Sequence, residues 1–471
     1  MLAVAGAAAL LDHLSLDYDE LFSVYFAERG PAYLLTEGWR TETNPPLYFL
    51  LLDGWIALFG QSAVAIRALS LLFGAATVPL VFLIGRAAAR RARRDARMAW
   101  LAAAVYLTSA VTARYALMAR PYALCLCFIA IALWALIEAM TMPPARLWRW
   151  SLGFAAAGLA ALYTHDSALF LLAAAEAVFA IDWLVHRRAD VRALIAWAGP
   201  QLLLMIGAVP QLAIILAQRN SANIAWISPL DTLGGIQYAI ELLSGHEYPF
   251  GTLQAPALAV TLLVLLLLVP FRASRPILAP LGILAVLGLI VLAAAGVLLP
   301  RTALWLLMPL AILQAAALPR VAALAVLPLM ALNTFYCLWE FEPEPWRDDL
   351  ARLESVRQPG DAVILLNAAP AMALRYYKAG SGAVLYRWDA TPIDGPGTAI
   401  RALDDAVEPL QPIDEAGIRD LLRQGKAVWL ISRLRGQMPL EAALSEGATT
   451  TLAMTRRSVV VRRLAPSRPA P

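Results

Sequence analysis

Residues 17–20 read Asp17-Tyr18-Asp19-Glu20 and follow the first apolar stretch of a chain whose first 340 residues contain long uncharged runs. Asp12, Asp17, Asp19 and Glu20 crowd together there. Four carboxylates cannot lie in hydrocarbon without partners or water, so they mark a mouth at a bilayer surface. A carboxylate beside an apolar wall gains the basicity needed to take a proton from a hydroxyl. Asp19 is the candidate for that work. The structural alternative is a helix N-cap, because DELFSVYFAERG reads as an amphipathic helix with an acidic first turn. Asp17 and Asp19 also spell D-x-D, a spacing that holds metal in soluble nucleotide-sugar enzymes, but no nucleotide-binding domain surrounds it here.

The elements that position these residues are membrane helices. Of 471 residues, 61% are hydrophobic and 15% charged, and the mean hydropathy is +0.65. Soluble domains are closer to half apolar. The composition specifies a polytopic α-helical membrane protein. A pI near 9.0 does not imply nucleic acid, because the positive charges fall in short clusters between apolar runs. Lys378 and Lys426 are the sole lysines among 38 basic residues. A phosphate bound in the membrane part must therefore meet Arg, backbone N–H or metal. Cys125, Cys127 and Cys337 form no disulfide or metal pattern. The sequence requires no cofactor and leaves room for a divalent metal.

A span needs about 20 apolar residues. The runs at 67–86, 98–113, 121–140, 150–166, 168–186, 193–217, 256–271, 276–298, 302–318 and 321–338 qualify, with a partial one at 1–11, giving about 11 spans. Residues 1–11 are too short to cross and lack the charged start of a secretory signal. The expectation is a start site placed too late, or a first helix missing its cytoplasmic turn. Basic clusters at Arg86–Arg97, Arg146 and Arg149, His186–Arg192, Arg272 and Arg275, and Arg320 fall in every second loop, which places those loops in the cytoplasm. Loops 12–66, 113–121, 165–168, 218–255 and 299–302, and the chain after 338, are then external. Residues 45–60 are short and carry Asp53; they read as a helix along the outer surface.

From Glu340 the chain is charged and Pro-rich. Apolar runs at 362–366, 383–386, 427–431 and 458–461 read as strands, and 346–357, 368–378 and 413–424 as helices. The expected division is a transmembrane domain over 1–340, with first external loop 12–66, and a small extracytoplasmic α/β domain over 341–471. Gly395-Pro396-Gly397 reads as a turn.

Several segments stand in one order: DYDELFSVYFAERG at 17–30, NPPLYFLLLDGWIALFGQSAVAIRALSLLFG at 44–74, ARYALMARPYALCL at 113–126, YTHDSALFLL at 163–172, NIAWISP at 223–229, PRTALWLLMP at 300–309 and WRDDLARL at 346–353. Over residues 12–355 this resembles the GT-C membrane glycosyltransferases, nearest the protein O-mannosyltransferase, aminoarabinose–lipid A transferase and lipopolysaccharide-core glycosyltransferase groups. The resemblance implies a polyprenyl-phosphate sugar donor, chemistry on the outer face of the cytoplasmic membrane, and a lipid, glycan or protein acceptor. It implies that Asp19 is the base and that Glu20 orients the loop or contacts the acceptor.

Breaking the sugar–phosphate bond leaves charge on phosphate, which Arg meets with its planar fork. Arg120, in Met-Ala-Arg-Pro-Tyr, and Arg301, in a short external turn, are the candidates; Arg114 is a weaker one. Interface anchoring is the alternative for each. His165 and Asp166 sit in an external turn where some family members place a metal- or donor-contacting His. The partner position before Pro45-Pro46 is often His, Lys or Glu in the family but is Asn44 here, which weakens a metal reading. Asp17, Asn44, Tyr122, Tyr163, His165 and Asp166 are the expected cavity lining, with ordinary belt aromatics as the alternative for the tyrosines. Residues 218–255, with Trp226, His246 and Glu247, read as a lid or a solvated loop. Asp182 should pair with Arg187 or Arg188, and Glu176 needs a partner. A secondary transporter and a non-catalytic polyprenyl-lipid-binding relative are the rival functions. The transporter reading lacks midplane charges in two related halves.

Overall fold

The computed structural model describes residues 10–188, 190–219, 275–294, 296, 301–318, 320–340, 344–366, 368–388, 410–433, 448–456 and 459–466. The stretch with Trp226, His246 and Glu247, the span at 256–271, NIAWISP and Gly395-Pro396-Gly397 lie outside them. The chain separates into two compact units, Tyr33–Glu340 and, together, Met1–Ala32 with Phe341–Pro471. The sequence reading kept residues 1–32 with the membrane helices. They group with the C-terminal segment because their backbone donors and charges find partners there.

A short helix, α2 (Gly30–Thr36), spans the boundary in sequence, and the first unit is helical. Its main elements are α3 (Leu47–Phe59), α4 (Ala63–Arg91), α5 (Arg97–Leu107), α6 (Ala110–Leu117), α7 (Tyr122–Ala139), α8 (Pro144–Leu162), α9 (Ala168–His186), α10 (Val191–Gln218), α11 (Arg275–Ala294), α12 (Leu307–Ala317) and α13 (Arg320–Glu340). Among the described residues four helices, α4, α7, α9 and α10, are long and apolar enough to cross a membrane. Helix α7 is apolar all round and 83% of its apolar window is buried, against 22% for α10. A helix hydrophobic on every face belongs at the centre of a bundle, and α7 packs between α4 and α8. At Gly74 an added Cβ would lie 2.4 Å from Cβ of Ala116, so a missing side chain lets α4 and α6 touch.

The run expected as one span at 98–113 is broken between α5 and α6 at Thr108 and Ser109. Hydroxyls compete with the helical ladder there. Thr108 Oγ1 donates to the Ala104 carbonyl (2.8 Å), Thr112 Oγ1 to that of Tyr106 (2.7 Å), and Thr334 Oγ1 to that of Thr108 (2.8 Å). Helix α3 has 13 residues, too few to span.

One end of the bundle is tied by charge. Glu138 of α7 meets Arg90 and accepts from Trp134 Nε1 (3.2 Å). Asp182 of α9 pairs with Arg91, and with His186 Nδ1 at 3.0 Å. The expected partner Arg187 instead donates to the carbonyls of Met140 and Met142 just past α7. It ends α9 and faces unsatisfied helix-terminal carbonyls, while the last turn of α4 brings Arg91 to Asp182. Glu176 accepts from Trp197 Nε1 at 2.8 Å.

The second unit contains α1 (Tyr18–Ala27), α14 (Trp346–Val356), β1 (Ala362–Leu365), α15 (Ala368–Tyr377), β2 (Val384–Trp388), β3 (Gln411–Ile413), α16 (Glu415–Arg423), β4 (Val428–Arg433), β5 (Ala448–Arg456) and β6 (Val459–Pro466). The sheet order is β3-β2-β1-β4-β6-β5. Strands β1 to β4 pair in parallel and β6 and β5 add antiparallel. Ala362, Ile364, Ile418, Leu422, Val428, Leu430 and Leu464 form its core. The four expected strands and three expected helices are present within a few residues, while β3 and β5 were not foreseen.

Candidate functional site

In the helical unit a polar cluster grows from the Pro45-Pro46 turn. Tyr48, on the first turn of α3, is fully buried and shares a hydrogen bond with Ser70 of α4 (3.1 Å). Ser70 donates to the Arg120 carbonyl (3.4 Å), which fixes the turn preceding α7. The Arg120 side chain is buried, and its Nη1 lies 3.4 Å from Oε2 of the equally buried Glu42. The other oxygen of Glu42 accepts from the backbone N–H of Asn44 (2.9 Å) and from its Nδ2 (2.8 Å). Gln218, at the end of α10, donates to the Glu42 carbonyl (3.1 Å).

The α8–α9 turn closes on the same region. The Leu47 N–H donates to the Tyr163 carbonyl (3.1 Å), and the Tyr163 hydroxyl donates to that of Gly207 (3.0 Å). The Tyr122 ring lies 5.4 Å from the His165 ring. His165 Nδ1 accepts from the Ser167 N–H (3.1 Å). Desolvation, then the positive charges of Arg301 and Arg120, lower its pKa to about 3, so the imidazole is neutral at physiological pH. Asp166 accepts from Gln211 Nε2 (2.9 Å). Desolvation raises it to about 7, against that hydrogen bond and helped by the charge of Glu42. The expected residues Asn44, Arg120, Tyr122, Tyr163, His165, Asp166 and Arg301 thus converge in this unit.

The positive charges of Arg120 and Arg301 both act on His165, and burial keeps Asp166 raised, so the cluster is biased toward binding an anion. Among the described residues, no three His, Cys, Asp or Glu side chains are grouped to hold a metal. Sequence reasoning missed Glu42, Gln211 and Gln218. Glu42 had a signal, as the acidic side chain two residues before the Asn44 that departs from the family pattern.

Asp17, Asp19 and Glu20 belong to the other unit. Asp17 is the N-cap of α1, accepting from the Glu20 N–H (2.9 Å), and the buried Glu20 carboxylate accepts from the Asp17 N–H (3.2 Å). This reciprocal pair is a capping box. The N-cap role weighed for Asp19 therefore falls to Asp17, and Glu20 orients the turn. Asp19 occupies the second helical position, half-buried, and its carbonyl accepts from Ser23 Oγ (3.0 Å). Burial, then the charges of Glu20, Asp19 and Glu344, push Asp17 well above the usual carboxylate range. The Tyr18 N–H donates to Glu344 Oε2 (2.8 Å), the Leu16 N–H to the Tyr377 hydroxyl (2.9 Å), and Arg375 pairs with Glu28 (2.7 Å).

Residues 43–214 match the family model for dolichyl-phosphate-mannose-protein mannosyltransferase. No curated protein matches the chain. Two crystal structures of ArnT from Cupriavidus metallidurans, one apo and one bound to undecaprenyl phosphate, each superpose with a TM-score of 0.62 at 14% identity, over 98% of this chain and 96% of that one. The S. cerevisiae protein O-mannosyltransferase Pmt1–Pmt2 complex bound to the sugar donor overlaps less, with TM-score 0.34, 18% identity, and 45% and 33% coverage of this chain and that one. The family model thus covers residues 43–214 alone, and the likeness to ArnT, at 14% identity, is a likeness of fold.

Proposed function

We propose that the chain is an inverting glycosyltransferase. It moves a sugar from a polyprenyl-phosphate donor to a lipid, glycan or protein acceptor at the external face of the cytoplasmic membrane, where the C-terminal α/β domain also lies. The Arg120 and Arg301 charges around neutral His165, on a GT-C fold, carry this reading. The ArnT structure with undecaprenyl phosphate supports the donor class.

The acceptor oxygen attacks the anomeric carbon as the bond from that carbon to the phosphate oxygen breaks, and the electron pair leaves on phosphate. Arg120 and Arg301 stabilise the polyprenyl phosphate as its charge builds. Asp19 takes the acceptor proton. Glu20 holds the turn carrying Asp19. Asn44, Tyr122, Tyr163, His165 and Asp166 are the proposed lining around the donor, and Asp17 caps the turn that carries Asp19.

Asp19→Asn and Arg120→Ala variants should be expressed in a strain lacking the chain, with envelope lipids and glycans read by mass spectrometry. The expected result is loss of one glycosylated species in both variants, with protein levels unchanged. A wild-type product from Asp19→Asn removes the base assignment, whereas a deletion strain that lacks no glycosylated species favours a non-catalytic lipid-binding protein.

A further inference from the structure

Arg433 ends β4, beside β1 where the parallel strand order β3-β2-β1-β4 reverses direction of growth. In open α/β sheets the carboxyl ends of strands at such a point form a ligand crevice. Here this region receives the protein's own acidic turn. Arg433 Nε lies 2.6 Å from Glu344 Oε1, and its guanidinium stands 4.8 Å from the Tyr18 ring centroid. The other oxygen of Glu344 accepts from the Tyr18 N–H (2.8 Å) and from Trp346 Nε1 (2.7 Å). Glu344 and Trp346 are almost wholly buried. One ion pair thus grips the residue between Asp17 and Asp19 by its backbone and its ring.

We propose that Arg433 and Glu344 are positioning residues for Asp19, so that the C-terminal α/β domain is a working part of the catalytic turn. This deepens the glycosyltransferase reading and rests on it. The clamp fixes the start of α1, and with it the direction of the Asp19 side chain. It also sets the charge that Asp19 meets. Arg433 acts on Asp19 and Asp17 as a cation, and Glu344 acts on Asp19 as an anion. The other charged or titratable groups nearby are Asp17 and Glu20 on its own turn, with Arg375, Tyr376 and Tyr377 on the helix packed along α1.

The charges make opposite predictions. Arg433→Gln removes a cation and makes Asp19 a weaker acid, so the acidic limb of the rate profile moves to higher pH by about 1 unit. Glu344→Gln keeps an acceptor for Tyr18 but removes an anion, so the limb moves to lower pH. Arg433→Lys keeps the charge and leaves the limb in place, with a lower plateau from the lost planar fork. The full-length chain in detergent should be given the total envelope lipid and glycan extracted from the deletion strain, which supplies both the polyprenyl-phosphate sugar and the unglycosylated acceptor. Release of polyprenyl phosphate is then followed from pH 5 to 9. Opposite shifts for the Gln variants, with Arg433→Lys unshifted, establish the clamp. Uniform loss at all pH values, without a shift, overturns it. Asp19→Asn run in parallel separates the two claims. Full activity there removes the base and the clamp together, whereas its loss beside unshifted profiles removes the clamp alone. Should Arg433→Gln not fold, Glu344→Gln and Arg433→Lys still decide.

Discussion

The Glu42 carboxylate meets the Arg120 guanidinium at 3.4 Å, with both side chains only 7% exposed. Breaking such a pair strands a buried charge, which costs about 3–5 kcal/mol. Arg120→Ala should lower the thermal unfolding temperature in detergent. Arg120→Met combined with Glu42→Gln should recover most of the loss while leaving donor turnover abolished. Recovery of turnover in the double variant would remove Arg120 from phosphate binding.

Asp166 titrates near 7 in the folded protein against an ordinary 3.8. Folding therefore favours its protonated form. That contribution is fully present below about pH 4 and is lost as pH rises through 7. Asp166→Asn should unfold later than wild type at pH 8, by about 2 kcal/mol, and the gap should close near pH 4. Unfolding curves between those pH values check the sign.

The capping box at α1 separates geometry from charge. Asn caps as well as Asp, whereas Ala does not, at about 1 kcal/mol. Because Asp17 is held well above its usual range, ionising it opposes folding at neutral pH. Asp17→Asn should match or exceed wild-type stability at pH 8, and Asp17→Ala should fall below Asp17→Asn. Equal stability of the two variants would contradict the cap.

Gly74 is where α4 and α6 touch. Gly74→Val should cost about 1–3 kcal/mol by overpacking. It should also raise KM for the donor more than it lowers kcat, because α6 leads into the turn bearing Arg120. Calorimetry and donor titration read the two effects separately.

Sidedness is tested by cysteine labelling. With Cys125, Cys127 and Cys337 replaced by Ser, Ala92→Cys should react with an impermeant maleimide only after the membrane is opened. Ser381→Cys should react from outside in intact cells. Labelling of Ala92→Cys from outside would reverse the topology.

The helices and strands were legible because their apolar periodicity is local. The interruption at Thr108 and Ser109 was not, since it depends on Thr334 reaching back to the Thr108 carbonyl. Arg120, His165 and Asp166 could be singled out because polar and charged residues at the end of an apolar run stand out from it in the sequence. Glu42 escaped notice because its meaning lies in a partner far along the chain. Arg433 and Glu344 looked like ordinary charged residues of a soluble segment, because their pairing joins the end of β4 to the chain just before α14, far apart in sequence. The partner of Asp182 was misread for a related reason. A neighbour in sequence was preferred to Arg91, which only helix packing delivers.

The grouping of residues 1–32 with 341–471 also bears on biosynthesis. Asp19 leaves the ribosome about 400 residues before Arg433. Until β4 has joined its sheet, the acidic turn lacks the Arg433–Glu344 ion pair, so a nascent or prematurely terminated polypeptide carries that turn unassembled. On the proposed reading, competence for transfer waits on completion of that sheet.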